Sequence, residues 1–147
     1  MSLPHPEFDA AFYETIPLKR FVAFVIDFVI IAGLAGAAVL VFGILTLGIG
    51  FAFFLPITLL VGFAYRWLTI GARSATFGML FMGVELRGRS GRHLTPQEAM
   101  LHSGIFIALT LTVIGWVATV IAIMATERHQ GLPDLFLGTV AINRPAQ

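Results

Sequence analysis

The chain has no cysteine, which excludes disulfides, thiol catalysis and cysteine-ligated metals and leaves the redox compartment open. Charge is almost as scarce. Asp, Glu, Lys and Arg make up 12% of its 147 residues and hydrophobic residues 58%, whereas a soluble domain carries about 25% charge. Such a chain cannot cover a surface that faces water, so its solvent is lipid. The net charge of +1 supplies no field for nucleic acid or acidic substrates, and only the placement of the nine Lys and Arg carries electrostatic meaning.

Signatures of chemistry are missing too. His5, His93, His102 and His129 show no ligand spacing, so no metal is expected. Residues 78–83 lack the Lys-Ser/Thr of a phosphate-binding loop, and Ser74, Ser90 and Ser103 have no nucleophile-elbow context. An enzyme, a cofactor and a nucleic-acid partner are therefore not expected.

What is present is organised around Lys19-Arg20 and Asp27, followed by an uncharged run that lasts to Tyr65. A cation stands at the mouth of a membrane-length apolar segment, and a carboxylate lies seven residues inside it. Seven residues are close to two helical turns, which places Arg20 and Asp27 on one face roughly 10 Å apart along the axis. The run is too long for a signal-peptide core and leads into a second span, so it reads as an uncleaved first transmembrane helix. A carboxylate at the bilayer centre costs about 2.5 to 3.5 kcal/mol on insertion scales, and less nearer the interface. Asp27 is thus either half of a structural pair, with Arg20 or with a polar group on another helix, or a proton or cation site.

In chain order, residues 1–17 read as a loose or surface-lying polar tail, and residues 18–142 as one membrane domain with spans at about 21–47, 50–68 and 103–125. Residues 143–147 are a second tail. In the first span Ala32 with Gly36, and Gly33 with Ala37, form small-xxx-small pairs expected to pack against the next span rather than to dimerise. Residues 46–50 are an uncharged turn, hence on the translocated side. Tyr65 and Trp67 read as interface anchors, with Arg66 snorkelling to the same level.

Residues 71–101 form a cytoplasmic connection bearing Arg73, Arg87, Arg89 and Arg92. Within it, residues 84–86 alternate like a short β-hairpin, and Thr95 with Glu98 marks a helix start. Arg87, Arg89 and Arg92 are placed to meet anionic headgroups.

The third apolar run leaves two topologies open. Three crossings put Arg128, Asp134 and Arg144 outside, with seven Lys and Arg inside and two outside; this is the preferred reading. A re-entrant run broken near Gly115 would bring all nine inside and let residues 84–86 pair with 140–142, provided the break is buried by the other helices.

Arg20 with Asp27, Thr76-Phe77-Gly78, Gly83-Val84-Glu85-Leu86, Leu94-Thr95, and Gln130-Gly131-Leu132-Pro133-Asp134 followed by Gly138-Thr139-Val140 together resemble the RDD family of small bacterial membrane proteins, over about residues 17–142. The resemblance implies that Arg20, Asp27 and Asp134 are the signature residues. It also implies two departures: Met79 stands where a lysine is usual, and Pro133 where a histidine is usual.

The expectation is an all-α integral membrane protein of the bacterial cytoplasmic membrane, with three apolar helical segments and a short interfacial, hairpin-like connection. Its partners would be lipids, with a homo-oligomer or a membrane protein as further company. Two activities are carried forward: a small transporter of protons or monovalent cations using Asp27, and a non-transporting adaptor that binds lipid or protein.

Overall fold

The computed structural model describes residues 2–145; of the two expected tails, Met1, Ala146 and Gln147 lie outside the described residues. Helix α1, Ile16–Leu45, starts with Pro17 in its first turn, where the missing N–H would have had no helical partner. Its 30 residues reach roughly 45 Å at 1.5 Å each, half as long again as the about 30 Å hydrocarbon core. Gly48, with φ +97°, and a 3₁₀ turn at Ile49–Phe53 reverse the chain. Helix α2, Phe54–Arg73, then runs back, and both α1 and α2 are long and apolar enough to cross a membrane.

A short helix α3, Phe77–Phe81, is capped by Thr76, whose Oγ1 accepts the Met79 N–H. Strand β1, Val84–Arg87, follows. Helix α4, Pro96–Thr110, carries the expected cap: Thr95 Oγ1 accepts the Glu98 N–H, and Glu98 accepts the Thr95 N–H at 2.8 Å. Helices α5, Val113–Ala125, and α6, Leu132–Leu137, precede strand β2, Val140–Asn143.

Two expectations about the third run need correction. Residues 103–125 are not one straight span, because α4 and α5 meet at 118°. The cause is local: Thr112 Oγ1 caps α5 by accepting the Gly115 N–H at 3.0 Å, which starts a new helix instead of extending the old one. The preferred arrangement, with Asp134 at the far end from Arg20, also fails. Strand β2 pairs antiparallel with β1, Glu85 opposite Ile142 and Leu86 opposite Ala141, so the tail returns to the end from which α4 departs. The short hairpin expected around residues 84–86 is therefore a two-stranded ribbon that joins distant parts of the chain.

The amino-terminal tail is docked rather than loose. Tyr13 is buried with Val140 and Ile142, the Asn143 amide donates to the carbonyls of Ala11 and Glu14, and Lys19 Nζ donates to Asn143 Oδ1 at 2.6 Å. Beneath the ribbon lies the main buried core, including Ile16, Ile70, Val84, Leu86 and Ala99. The opposite end has no such core among the described residues. Leu47 and Ile114 there are 96% and 84% exposed, which suits a surface whose solvent is lipid and not water.

Candidate functional site

Polar side chains from five elements converge at the Arg20 end. Asp27, 4% exposed, accepts three hydrogen bonds: from Tyr65 Oη on α2 at 2.6 Å, from Thr76 Oγ1 at 2.5 Å and from the Gly78 N–H at 2.9 Å. Three of the carboxylate's roughly four lone-pair positions are thus filled by uncharged donors. Gly78 is required at this point. A Cβ there would collide with the Ala23 carbonyl oxygen and stand 2.9 Å from the Asp27 carboxyl carbon, so only glycine lets α3 come this close to α1.

Asp134 is fully buried and held differently. Arg20 Nη1 stands 2.8 Å from its Oδ2, with the N–H direction off the line of a hydrogen bond, so the contact is an ion pair. His102 Nε2 lies 2.8 Å from Oδ1. Thr139 Oγ1 donates to Oδ1 and the Gly131 N–H to Oδ2, each at 2.9 Å. An ionised carboxylate only accepts, so His102 Nε2 carries the proton of this bond. Burial pushes the Asp134 carboxyl up, but the Arg20 charge, then the bond and charge of His102 and the Gly131 N–H, hold it below the usual carboxylate range.

Arg66, 4% exposed, lies on the same cavity as Asp27. Its guanidinium carbon lies 3.7 Å from the centre of the Phe106 ring, a cation–π contact. Its Nε has no partner among the described residues. Nor does the rest of the guanidinium form an ion pair or hydrogen bond among them. Arg66 lines a cavity of about 450 Å³ with Arg20, Asp27, Phe106, Trp116 and Val120. The cavity lies between the amino-terminal half of α1 and the face of α5 that bears Trp116, Thr119 and Val120.

Of the signature residues, the fold brings Arg20 and Asp134 together and places Asp27 on the same cavity, but Arg20 does not pair with Asp27. Tyr65 and Arg66 are not interface anchors: both are buried, their polar groups turned inward because Asp27 and the cavity lie there. Trp67 remains at the surface, its Nε1 donating to the Pro96 carbonyl at 3.1 Å. Ala32, Gly33, Gly36 and Ala37 are exposed, and a Cβ at Gly33 or Gly36 would meet nothing within 4 Å. Small-residue packing of α1 against α2 through these four is thus overturned; the buried face of α1 carries Ala35 and Val39 instead. Arg87 is tied to buried Glu85 by an ion pair and to the Gly91 carbonyl, which leaves Arg89 and Arg92 as the exposed arginines of that group.

Arg66, His102, Tyr65, Thr76 and Thr139 were not read from the sequence as site residues. A signal existed for two of them. His102 is the one ionisable side chain in the run 99–126, and Arg66 is the first charge after Asp27, each inside an apolar segment where an ionisable group marks a functional hypothesis. His102 also supplies the imidazole beside Asp134 that position 133, a proline here, cannot.

No curated protein and no solved structure matches the chain. The RDD family model matches residues 16–138, which include Arg20, Asp27 and Asp134. The chain is a membrane protein and belongs to the RDD family.

Proposed function

We propose that this protein is a multi-pass module of the bacterial cytoplasmic membrane that binds a membrane amphiphile in the cavity between α1 and α5, and that it is not an enzyme. The observation that carries the reading is the cavity itself: mostly apolar walls, about 450 Å³, with polar groups gathered at one place. Ligand sites have this character, within about 300 to 1,000 Å³. The ribbon and the Arg20–Asp134 pair support a topology in which both ends of the chain lie on the cytoplasmic side and α4–α5 enters the bilayer and returns. All nine Lys and Arg then lie towards the cytoplasm, in line with the positive-inside rule. The break near Thr112 is exposed, not covered by the other helices as a re-entrant run was expected to require; its backbone is served locally instead, through the Thr112 cap and the Thr112 N–H bond to Leu109. Lipids are the principal partners, nucleic acid has no place, and the exposed small residues of α1 leave room for a second membrane helix.

A second reading, transport of protons or monovalent cations through Asp27, is favoured by the burial of that carboxylate in α1. It is the weaker of the two, because Asp27 already accepts three hydrogen bonds and two guanidinium groups face the same cavity.

Native mass spectrometry of the protein released from membranes tests the first reading. A retained amphiphile is expected in wild type and its loss in Val120→Trp, which fills the cavity; bare protein in both sinks it. Proteoliposomes test the second: cation or proton flux that disappears in Asp27→Asn would put transport first.

A further inference from the structure

We propose that Arg66 is an anion receptor within the membrane and that the ligand of the cavity is a long-chain carboxylate with a single acyl chain. The inference rests on the cavity being an amphiphile site and adds what the ligand's head must be. A guanidinium 4% exposed, with no ion pair or hydrogen bond among the described residues, leaves its N–H donors without a direct acceptor in a low-dielectric place, which is costly even with the Asp27 charge on the same cavity. Its two obvious protein partners are occupied. Asp27 is bonded by Tyr65, Thr76 and Gly78, and Asp134 by Arg20, His102, Thr139 and Gly131. Phe106 supports the flat face of the guanidinium and leaves its N–H edge for an acceptor. Arg66 is one of the residues that line the cavity.

The charge and shape of the head follow from this setting. A planar fork matches a carboxylate in a bidentate manner. The donor edge of one guanidinium serves one carboxylate head, and the Asp27 charge on the same cavity opposes a doubly charged phosphate monoester. The apolar body of the ligand lies along Phe21, Phe24, Trp116, Val120, Ile123 and Met124. A volume in the lower half of the range for ligand sites suits one chain rather than two.

The test uses the full chain in detergent, with Trp67→Phe leaving Trp116 as the sole tryptophan of the two present. A brominated fatty acid and the matching brominated fatty alcohol are titrated as quenchers. Saturable quenching by both is expected, with the acid bound about tenfold or more tightly, the worth of a charge-assisted hydrogen bond. Arg66→Gln should erase the acid's advantage, and Arg66→Lys should keep only part of it. Should Arg66→Gln fail to fold, the acid-to-alcohol ratio in the Arg66 protein still decides. Equal affinity for acid and alcohol, or an acid preference that survives Arg66→Gln, overturns the anion receptor while the cavity reading stands. Displacement of the acid by inorganic phosphate, or by phosphatidylglycerol more readily than by unlabelled fatty acid, overturns the carboxylate and assigns the place to a phosphate group. Absence of saturable quenching by either probe removes the cavity reading itself.

Discussion

Asp27 and Asp134 are both carboxylates sealed from water, yet one is held by uncharged donors and the other by a cation and an imidazole. The first belongs to α1 and gathers α2 and α3 around it. The second lies in α6 and pins the returning tail to α1 and α4. Asp134 therefore fixes the chain's connectivity in space, because without the Arg20 pair nothing charged ties residues 132–137 to the start of α1. Asp27 fixes local helix packing and borders the cavity where Arg66 stands unpaired. The difference teaches that Arg20 and Asp134 join the returning tail to the start of α1, while Asp27 holds α1, α2 and α3 together beside the cavity.

Removing the charge of Asp134 should show this most clearly. Asp134→Asn leaves the half-buried Arg20 opposite a neutral amide, and breaking such a pair costs up to about 3 to 5 kcal/mol. A large fall in the midpoint of denaturation in mixed micelles is expected, much of it recovered when Arg20→Met is added. Asp27→Asn should cost less, about 1 to 3 kcal/mol, since Tyr65 and Gly78, which share Oδ1, can still donate to the amide oxygen and only the Thr76 bond to Oδ2 is lost. The two variants measured side by side break the comparison if Asp27→Asn is the more damaging.

Acid sharpens it further. The folded Asp134 carboxyl sits below its ordinary range, so its contribution is complete above about pH 4, the unfolded value, and fades as pH falls through the lower folded value. Stability followed by circular dichroism from neutral pH downwards should show a steeper acid limb in wild type than in Asp134→Asn. The smallest effect is expected at Gly33→Leu and Gly36→Leu, whose positions open onto empty space. Little change in monomer stability should follow; a loss comparable to Asp27→Asn would mean that this face packs within the chain after all.

Much of the membrane architecture was legible along the sequence. The uncharged turn at residues 46–50, the Thr95–Glu98 cap and the apolar lengths of α1 and α2 are local properties, governed by residues within one or two turns of each other. The site was legible only in part. Seven-residue spacing correctly put Arg20 and Asp27 on one side of α1, but a shared face does not specify a partner, and Arg20 took a carboxylate more than a hundred positions away. Tyr65 and Arg66 looked like a membrane-belt signature because a list of residues does not say whether a side chain at a helix end turns to headgroups or inward.

From composition and order alone came the lipid solvent and two helices long and apolar enough to cross a membrane, which depend on chemistry repeated within short stretches; the resemblance to the RDD family, which the family match bears out, rested on short motifs in order. Tertiary structure alone decided that the third apolar run bends by 118°, that β2 comes back to β1, and that Arg66 lines a cavity with no ion pair of its own among the described residues. Those outcomes depend on which distant groups can satisfy one another once water is gone, and in a low-dielectric interior a single carboxylate that finds its cation outweighs the preferences of many apolar residues that pack almost equally well against any neighbour.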